Sequence, residues 1–350
     1  MPYRCPDCGG LYDYDGPPVY DPQLLDRSAP GIWQYRSSFN LSENAPFVSL
    51  GEGSTPLIPI QYGEHTLWLK QESLNPTGSY KDRGSAVLLS QLLARGVIEA
   101  VEDSSGNAGA SFAAYAARAG LKARVFVPEA ASGPKRAQIE AYGAELIAVP
   151  GPRSAAAEAV LREARSGIAY ASHAYLPFGL PGIATIAYEI ASQLSGLNER
   201  PRTVVAPVGH GGLLLGLMRG FDAMQAEEPY YVGVQAQACA PLWTAYHDGL
   251  DAMQAVEERP TAAEGVRVLH PVRAGAILKK LASTAGSGAI IAVPEERILP
   301  AYSALARQGF HVEPTSALVW AALDQILGRV PEPIILILSG AGLKYPITIL

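Results

Sequence analysis

The sequence predicts an α/β fold, with mostly parallel sheets and helices on both faces. Three observations lead there. From residue 67 onward, short β-rich runs alternate with helical stretches; the runs are mostly apolar; and the 35 glycines and 28 prolines are spread along the chain as punctuation. At 350 residues the chain is long enough for two domains with sizeable cores. Strands are expected at 67–70, 97–101, 123–127, 145–149, 203–206, 230–234, 289–292 and 334–338. They look like strands buried on both faces, as helices cover each side of a parallel sheet. Helical patterns fall between them at 82–95, 108–119, 134–142, 153–165, 183–195, 212–226, 273–285, 295–308 and 315–327. Pro134 and Pro294 lie near first turns, where a missing N–H costs nothing. Residues 1–60 are rich in Pro, Tyr, Asp and Ser without a clear period and read as an irregular arm. There is no internal repeat and no low-complexity linker.

Composition narrows the function. With 48% hydrophobic and 17% charged residues, the chain can bury enough apolar surface to fold. A net charge of −6 with no basic run lacks the electrostatic footprint of a nucleic-acid binder, so a small-molecule partner is expected. The best apolar run, at 334–338, is too short to cross a bilayer, and no charged start leads into an apolar leader, so a cytoplasmic protein with no membrane partner is expected. Three cysteines cannot make a disulfide framework and suit a reducing compartment. Cys5-Pro6-Asp7-Cys8-Gly9-Gly10 is shaped like half of a zinc ribbon, but the second pair is absent and a tight turn serves equally; no metal is expected in the functional site.

Four loops carry possible chemistry, and in open α/β sheets ligands bind outside the carboxyl ends of strands. Asn75-Pro76-Thr77-Gly78-Ser79-Tyr80-Lys81-Asp82-Arg83-Gly84 places one lysine at a helix start. A helix N-terminus disfavours a cation, so Lys81 there is a better nucleophile and Schiff-base former than a solvated lysine, which is the alternative reading. Asp103-Ser104-Ser105-Gly106-Asn107-Ala108-Gly109 opens the next helix, where backbone N–H groups and two hydroxyls make either a carboxylate or phosphate cradle or an ordinary capped turn. Pro207-Val208-Gly209-His210-Gly211-Gly212-Leu213 lets backbone amides approach an anion closely. Its spacing fails the dinucleotide G-x-G-x-x-G, because residue 214 is leucine. Ser339-Gly340-Ala341-Gly342 follows the last strand and reads otherwise as a Gly-rich exit turn. No H-E-x-x-H, G-x-S-x-G or G-x-x-x-x-G-K-[ST] competes. A Schiff-base lysine with a phosphate site and a carboxylate site describes pyridoxal phosphate (PLP) chemistry on an amino acid.

Five motifs in order sharpen this. Gly51-Glu52-Gly53-Ser54-Thr55-Pro56-Leu57, the Lys81 loop, Ser105-Gly106-Asn107, the glycines at 209–212 and Glu313-Pro314-Thr315-Ser316-Ala317 together resemble threonine synthase and its fold-type II PLP relatives, the tryptophan synthase beta-like superfamily. The resemblance runs from about residue 45 to residue 345. It implies that Lys81 holds PLP as an imine and later moves protons, that Asn107 hydrogen-bonds the ring hydroxyl oxygen, and that Gly209, His210, Gly211, Gly212 and Leu213 hold the cofactor phosphate. It places Ser339 against the pyridine nitrogen, and gives the substrate α-carboxylate to Ser104, Ser105 and Ala108. It further implies an irregular arm at 1–45, a larger cofactor domain from 46–90 and 172–350, a smaller domain at 91–171 that closes over the substrate, and a homodimer.

The activity so implied is a threonine synthase-like lyase that eliminates or replaces a β or γ group through an external aldimine. A serine or threonine ammonia-lyase and a β-replacement synthase of the cysteine or cysteate type use the same residues. A non-catalytic PLP or amino-acid sensor and a nicotinamide-dependent oxidoreductase are the readings from other classes. One departure bears on the choice. Threonine synthase grips the phosphate of O-phosphohomoserine with a stretch containing Asn, Ser and Arg, whereas Ser172-His173-Ala174-Tyr175-Leu176-Pro177-Phe178-Gly179-Leu180-Pro181-Gly182 has no arginine. A doubly charged phosphate would lack its bidentate partner, with His173 or Arg153 as candidate substitutes, so a smaller or less charged leaving group is expected.

Overall fold

A computed structural model of the chain describes residues 2–16, 18–129, 133–151, 153–225, 227–283 and 288–345. These fall into two compact units, residues 1–53 with 75–183 and residues 54–74 with 184–350. The stretch 91–171 lies wholly in the first unit, which also takes up the N-terminal arm and the residues around Lys81.

The first unit holds a four-stranded parallel sheet of order β5-β4-β3-β6, made of β3 (Glu99–Glu102), β4 (Lys122–Pro128), β5 (Glu145–Val149) and β6 (Ala169–Tyr170). Its helices are α1 (Lys81–Leu93), α2 (Asn107–Ala119), α3 (Pro134–Ala141) and α4 (Arg153–Arg165). Val101, Phe126, Val160 and Tyr170 form a core between sheet and helix. The N-terminal arm is irregular, with 3-10 turns at Pro22–Leu24 and Gly31–Ser38, but it is firmly held. Buried Trp33 donates its indole N–H to Glu52 at 2.9 Å, and Tyr115 on α2 donates its hydroxyl to the same carboxylate at 2.6 Å. The Tyr3 ring packs edge-on against Tyr170 and Tyr175.

The second unit holds a six-stranded sheet of order β1-β2-β10-β7-β8-β9. An antiparallel hairpin, β1 (Leu57–Tyr62) and β2 (His65–Lys70), leads into parallel β10 (Ile334–Ile337), β7 (Thr203–Pro207), β8 (Tyr230–Ala236) and β9 (Gly288–Val293). Around it run α6 (Gly212–Ala223), α7 (Pro241–Asp248), α8 (Ala274–Ser283), α9 (Ile298–Arg307), α10 (Pro314–Ala321) and α11 (Leu323–Ile326). Helix α5 (Leu180–Ser195) begins in the first unit and continues into the second. Leu67, Leu69, Val205, Val232, Ile334 and Leu336 are fully buried in the core.

Every expected strand is present, and two more appear. β1 was hidden by Pro59 in its middle, tolerated because β1 is the sheet edge; β6, two residues long, is too short for a periodic signal. The helix expected at 315–327 is two helices divided at Ala322. The one expected at 295–308 opens with a 3-10 turn at Glu295–Arg297 before α9, and α5 starts three residues early. Residue 226 and residues 284–285, the expected ends of two helices, lie outside the described residues. Among the described residues, no helix is long and apolar enough to cross a membrane. Cys5, Cys8 and Cys239 are free thiols. The Cys5–Gly10 knuckle is a tight turn in which Cys5 donates its N–H to the Gly10 carbonyl and Gly9 donates to that of Cys5, each at 2.9 Å.

Candidate active site

Lys81 is the first residue of α1, in the first unit. The turn before it is clamped by Asp82, which is fully buried: Thr77 donates its N–H to Asp82 Oδ2 and its hydroxyl to Oδ1, both at 2.6 Å. Gly78 donates its N–H to the Asn75 carbonyl at 2.7 Å, and Asn75 Oδ1 accepts the Gly53 N–H at 3.0 Å. A buried carboxylate in the first turn is also favourable toward the helix dipole. The half-buried Lys81 side chain therefore leaves a rigid platform, with Nζ 5.0 Å from the centre of the Tyr80 ring. Stretch 172–183 packs against this platform so closely that a Cβ on Gly182 would lie 2.0 Å from the Arg83 carbonyl oxygen. Ser79 Oγ is fully buried and has no hydrogen-bond partner among the described residues.

The loop from Asp103 to Gly106 leaves β3 and enters α2 at Asn107. It folds back over the first turn of α2, because a Cβ on Gly109 would lie 1.8 Å from the Ser104 carbonyl oxygen. Ser104 Oγ accepts the Gly106 N–H at 3.1 Å, and Ser104, Ser105, Asn107 and Ala108 are all half-buried. Gly109→Ala is expected to push this loop off the helix start, at a stability cost of about 1–3 kcal/mol and with a larger loss in KM than in kcat. Thermal melting and steady-state kinetics check it, and an unchanged KM would contradict the geometry. Directly before the loop, Glu102 is buried and accepts the Ser104 N–H. Burial first, then the neighbouring Asp103 charge, push its carboxyl up to about 8, against the Ser104 N–H, Lys81 and Arg153. Asp103 Oδ1 accepts the buried Tyr170 hydroxyl at 2.7 Å. Of the two cations named as partners for an anionic leaving group, His173 is buried and Arg153 is exposed at the start of α4.

In the second unit, the strand β7 delivers Val208, Gly209, His210 and Gly211 to the start of α6. The chain turns through a left-handed Gly211, φ +96°, where a side chain would meet Ile277 Cδ1 at 2.6 Å. His210 anchors the loop by accepting the Arg273 N–H on its carbonyl at 3.1 Å. A Cβ on Gly212 would meet no atom within 4 Å among the described residues, so there is room beside the first turn of α6, and a helix N-terminus favours an anion. Ser339, at the exit of β10, is buried and pairs with Ser316 on α10, Oγ to Oγ at 3.0 Å. Ser316 Oγ also accepts the Gly340 N–H at 2.8 Å.

The first unit thus carries Lys81, Asn107, Ser104, Ser105 and Ala108, and the second carries the 209–213 loop and Ser339. Each unit by itself offers one feature that suits part of the expected cofactor: in the first, a buried hydroxyl two positions before the lysine with no partner among the described residues, and in the second, a glycine-rich helix start with room beside Gly212. Sequence reasoning gave no role to Glu102, Ser79, Gly109 or Ser316. An acidic residue ending an apolar strand was a signal for Glu102, and the quoted Glu313–Ala317 motif contained Ser316 without showing what it holds.

The family model described as "Pyridoxal-phosphate dependent enzyme" matches residues 48–340. The chain is 35% identical to a threonine synthase of Methanocaldococcus jannaschii, over 98% of this chain and 89% of that protein. It is 34% identical to a threonine synthase of a Bacillus species, over 89% of each. Among solved structures, a threonine deaminase of T.th. superposes with a TM-score of 0.69 at 29% identity, covering 82% of this chain and 92% of that one.

Proposed function

Because this chain belongs to the family of pyridoxal-phosphate dependent enzymes, we propose that it eliminates or replaces a group on Cβ or Cγ of a small amino acid, with Lys81 carrying the cofactor. It is a PLP-dependent lyase of the threonine synthase-like kind. The observation that carries the proposal is the placement of Lys81 as the first residue of α1, in a turn clamped by Asp82.

Bound PLP supplies an electron sink for the charge left at Cα when its proton is lost. The chain's own residues do the rest. Lys81 Nζ holds the cofactor aldehyde and, as a free amine, takes the Cα proton as general base. The N–H groups of residues 209–213 hold the cofactor phosphate at the start of α6. Asn107 orients the ring by its hydroxyl oxygen. Ser104, Ser105 and Ala108 fix the substrate α-carboxylate, so that the Cα proton is presented to Lys81. Ser339 offers the pyridine nitrogen a hydroxyl, which cannot protonate it as a carboxylic acid could. A hydroxyl at Ser339, rather than a carboxylic acid, would favour loss of a leaving group over transamination.

The leaving group is smaller or less charged than phosphate. The support is that stretch 172–182 has no arginine and that its one histidine is buried. A nicotinamide enzyme gives Lys81 no purpose, and a sensor would bind the cofactor while turnover stayed at background. The homodimer and cytoplasmic setting belong to this reading on the family resemblance and on three free thiols. The test is a panel of O-phosphohomoserine, O-phosphoserine, O-acetylated amino acids, threonine and serine, with products identified. Turnover of the unphosphorylated or acetylated compounds is expected. Conversion of O-phosphohomoserine to threonine at ordinary rates, about 1–10³ s⁻¹, would overturn the leaving-group assignment. Pure elimination, giving a 2-oxo acid and ammonia, is the second reading, and the likeness to the T.th. threonine deaminase favours it.

A further inference from the structure

Glu102 has no part in the chemistry above, yet it sits at the entrance of the carboxylate loop. It ends β3, is 3% exposed, and accepts the N–H of Ser104, the first residue proposed to receive the substrate α-carboxylate. An arriving carboxylate competes for that same amide. When Glu102 is ionised, the newcomer also meets a buried like charge, with Asp103 beside it. Two carboxylates sharing a site cannot both stay charged without large cost.

We propose that Glu102 is an electrostatic gate on the α-carboxylate cradle, a positioning residue that yields the Ser104 amide to an anionic substrate only while it carries a proton. This rests on the reading of Ser104 as a carboxylate receiver. The charged and titratable groups whose fields reach Glu102 are Asp103 on its own loop, Tyr170 on β6, Lys81 at the start of α1 and Arg153 at the start of α4; β4, paired alongside at Val125, adds none of them. Burial first and the Asp103 charge second keep the proton on Glu102, while the Ser104 N–H, Lys81 and Arg153 favour its ionised form. Burial pushes the Tyr170 hydroxyl well above its usual range, so it stays neutral throughout.

The sign follows by linkage. The binding-competent form holds one more proton than the form that dominates above about pH 8. Affinity for an anionic ligand is therefore full below that pH and falls about tenfold per unit above it. An amine with no carboxylate does not feel the gate.

The experiment titrates the holoenzyme with L-alanine and with ethylamine from pH 6.5 to about pH 9.5, following the change in cofactor absorbance on binding. The wild-type preference for alanine over ethylamine is expected to be constant up to about pH 8 and then to fall tenfold per unit. Glu102→Gln keeps the side-chain volume and an acceptor for the Ser104 N–H but loses the charge, so its preference stays flat. Asp103→Asn removes the charge that adds to burial in holding the proton on, and moves the onset to lower pH. A flat wild-type preference, an unchanged slope in E102Q, or an unmoved onset in D103N would each overturn the gate while leaving the cradle standing. Alanine with no advantage over ethylamine at any pH would instead overturn the cradle, and the gate with it. The wild-type profile decides without reference to how either variant folds.

Discussion

Lys81→Ala is expected to abolish turnover while leaving the protein folded. The side chain is half-buried at the first position of α1, and the turn before it is held by Asp82 and Thr77, which the substitution does not touch. Alanine is also the best helix former, so α1 loses nothing. What disappears is the covalent anchor of the cofactor and the base that takes the Cα proton. General acid–base catalysis alone is worth about 10²–10⁴-fold. With the anchor gone as well, a fall in kcat of at least about 10³ is expected, with the melting curve of the apoprotein unchanged. Lys81→Arg should fare no better, because a guanidinium stays charged and forms no imine. Retention of activity in either variant would remove Lys81 from the chemistry.

The second large effect concerns stability, in the second unit. Lys70, at the end of β2, is fully buried and donates from Nζ to Glu189 Oε2 on α5 at 2.7 Å, to the Thr55 carbonyl at 2.7 Å and to Gln193 Oε1 at 3.1 Å. Glu189 in turn accepts the Ser54 N–H at 2.8 Å, at a residue whose φ of +51° is unusual for a side chain, and the Thr55 N–H at 3.3 Å. One carboxylate therefore fixes both the buried ammonium and the Gly-Ser-Thr-Pro turn that leads into β1. Glu189→Ala removes the carboxylate shared by the buried ammonium and two backbone N–H groups, and breaking a buried ion pair typically costs about 3–5 kcal/mol. The expected result is a large fall in the urea midpoint with little change in slope. Lys70→Met combined with Glu189→Met should recover much of the loss, since apolar replacement of a whole buried pair is often neutral. A single variant as stable as wild type would show that the pair carries no weight.

The sequence made the sheets legible where burial leaves a continuous apolar run, as at Ile334–Ile337 or Thr203–Pro207, and lost them where other physics governs. β1 exists because β2 offers a partner, not because of its own pattern, which Pro59 interrupts. The pattern at 315–327 runs unbroken past Ala322 because α10 is buried on every side, so no polar face marks where one helix stops and the next begins. At the candidate site, local chemistry was readable: a lysine at a helix start, a hydroxyl-rich helix entry, a glycine cradle. Long-range partners were not. Nothing near Ser339 announces Ser316, 23 residues earlier, and nothing near Trp33 announces that Glu52 joins it to Tyr115. The Glu52 of the Gly-Glu-Gly-Ser-Thr-Pro motif is thus a structural tie in the first unit.

The central claim is that the Lys81 ε-amine carries the cofactor aldehyde, and borohydride reduction of the holoenzyme followed by peptide mapping tests it most directly. The account predicts that the yellow colour is lost and that a single peptide spanning Tyr80-Lys81-Asp82 gains the mass of a reduced pyridoxyl phosphate. A label on another lysine, or full colour with no labelled peptide, would contradict it.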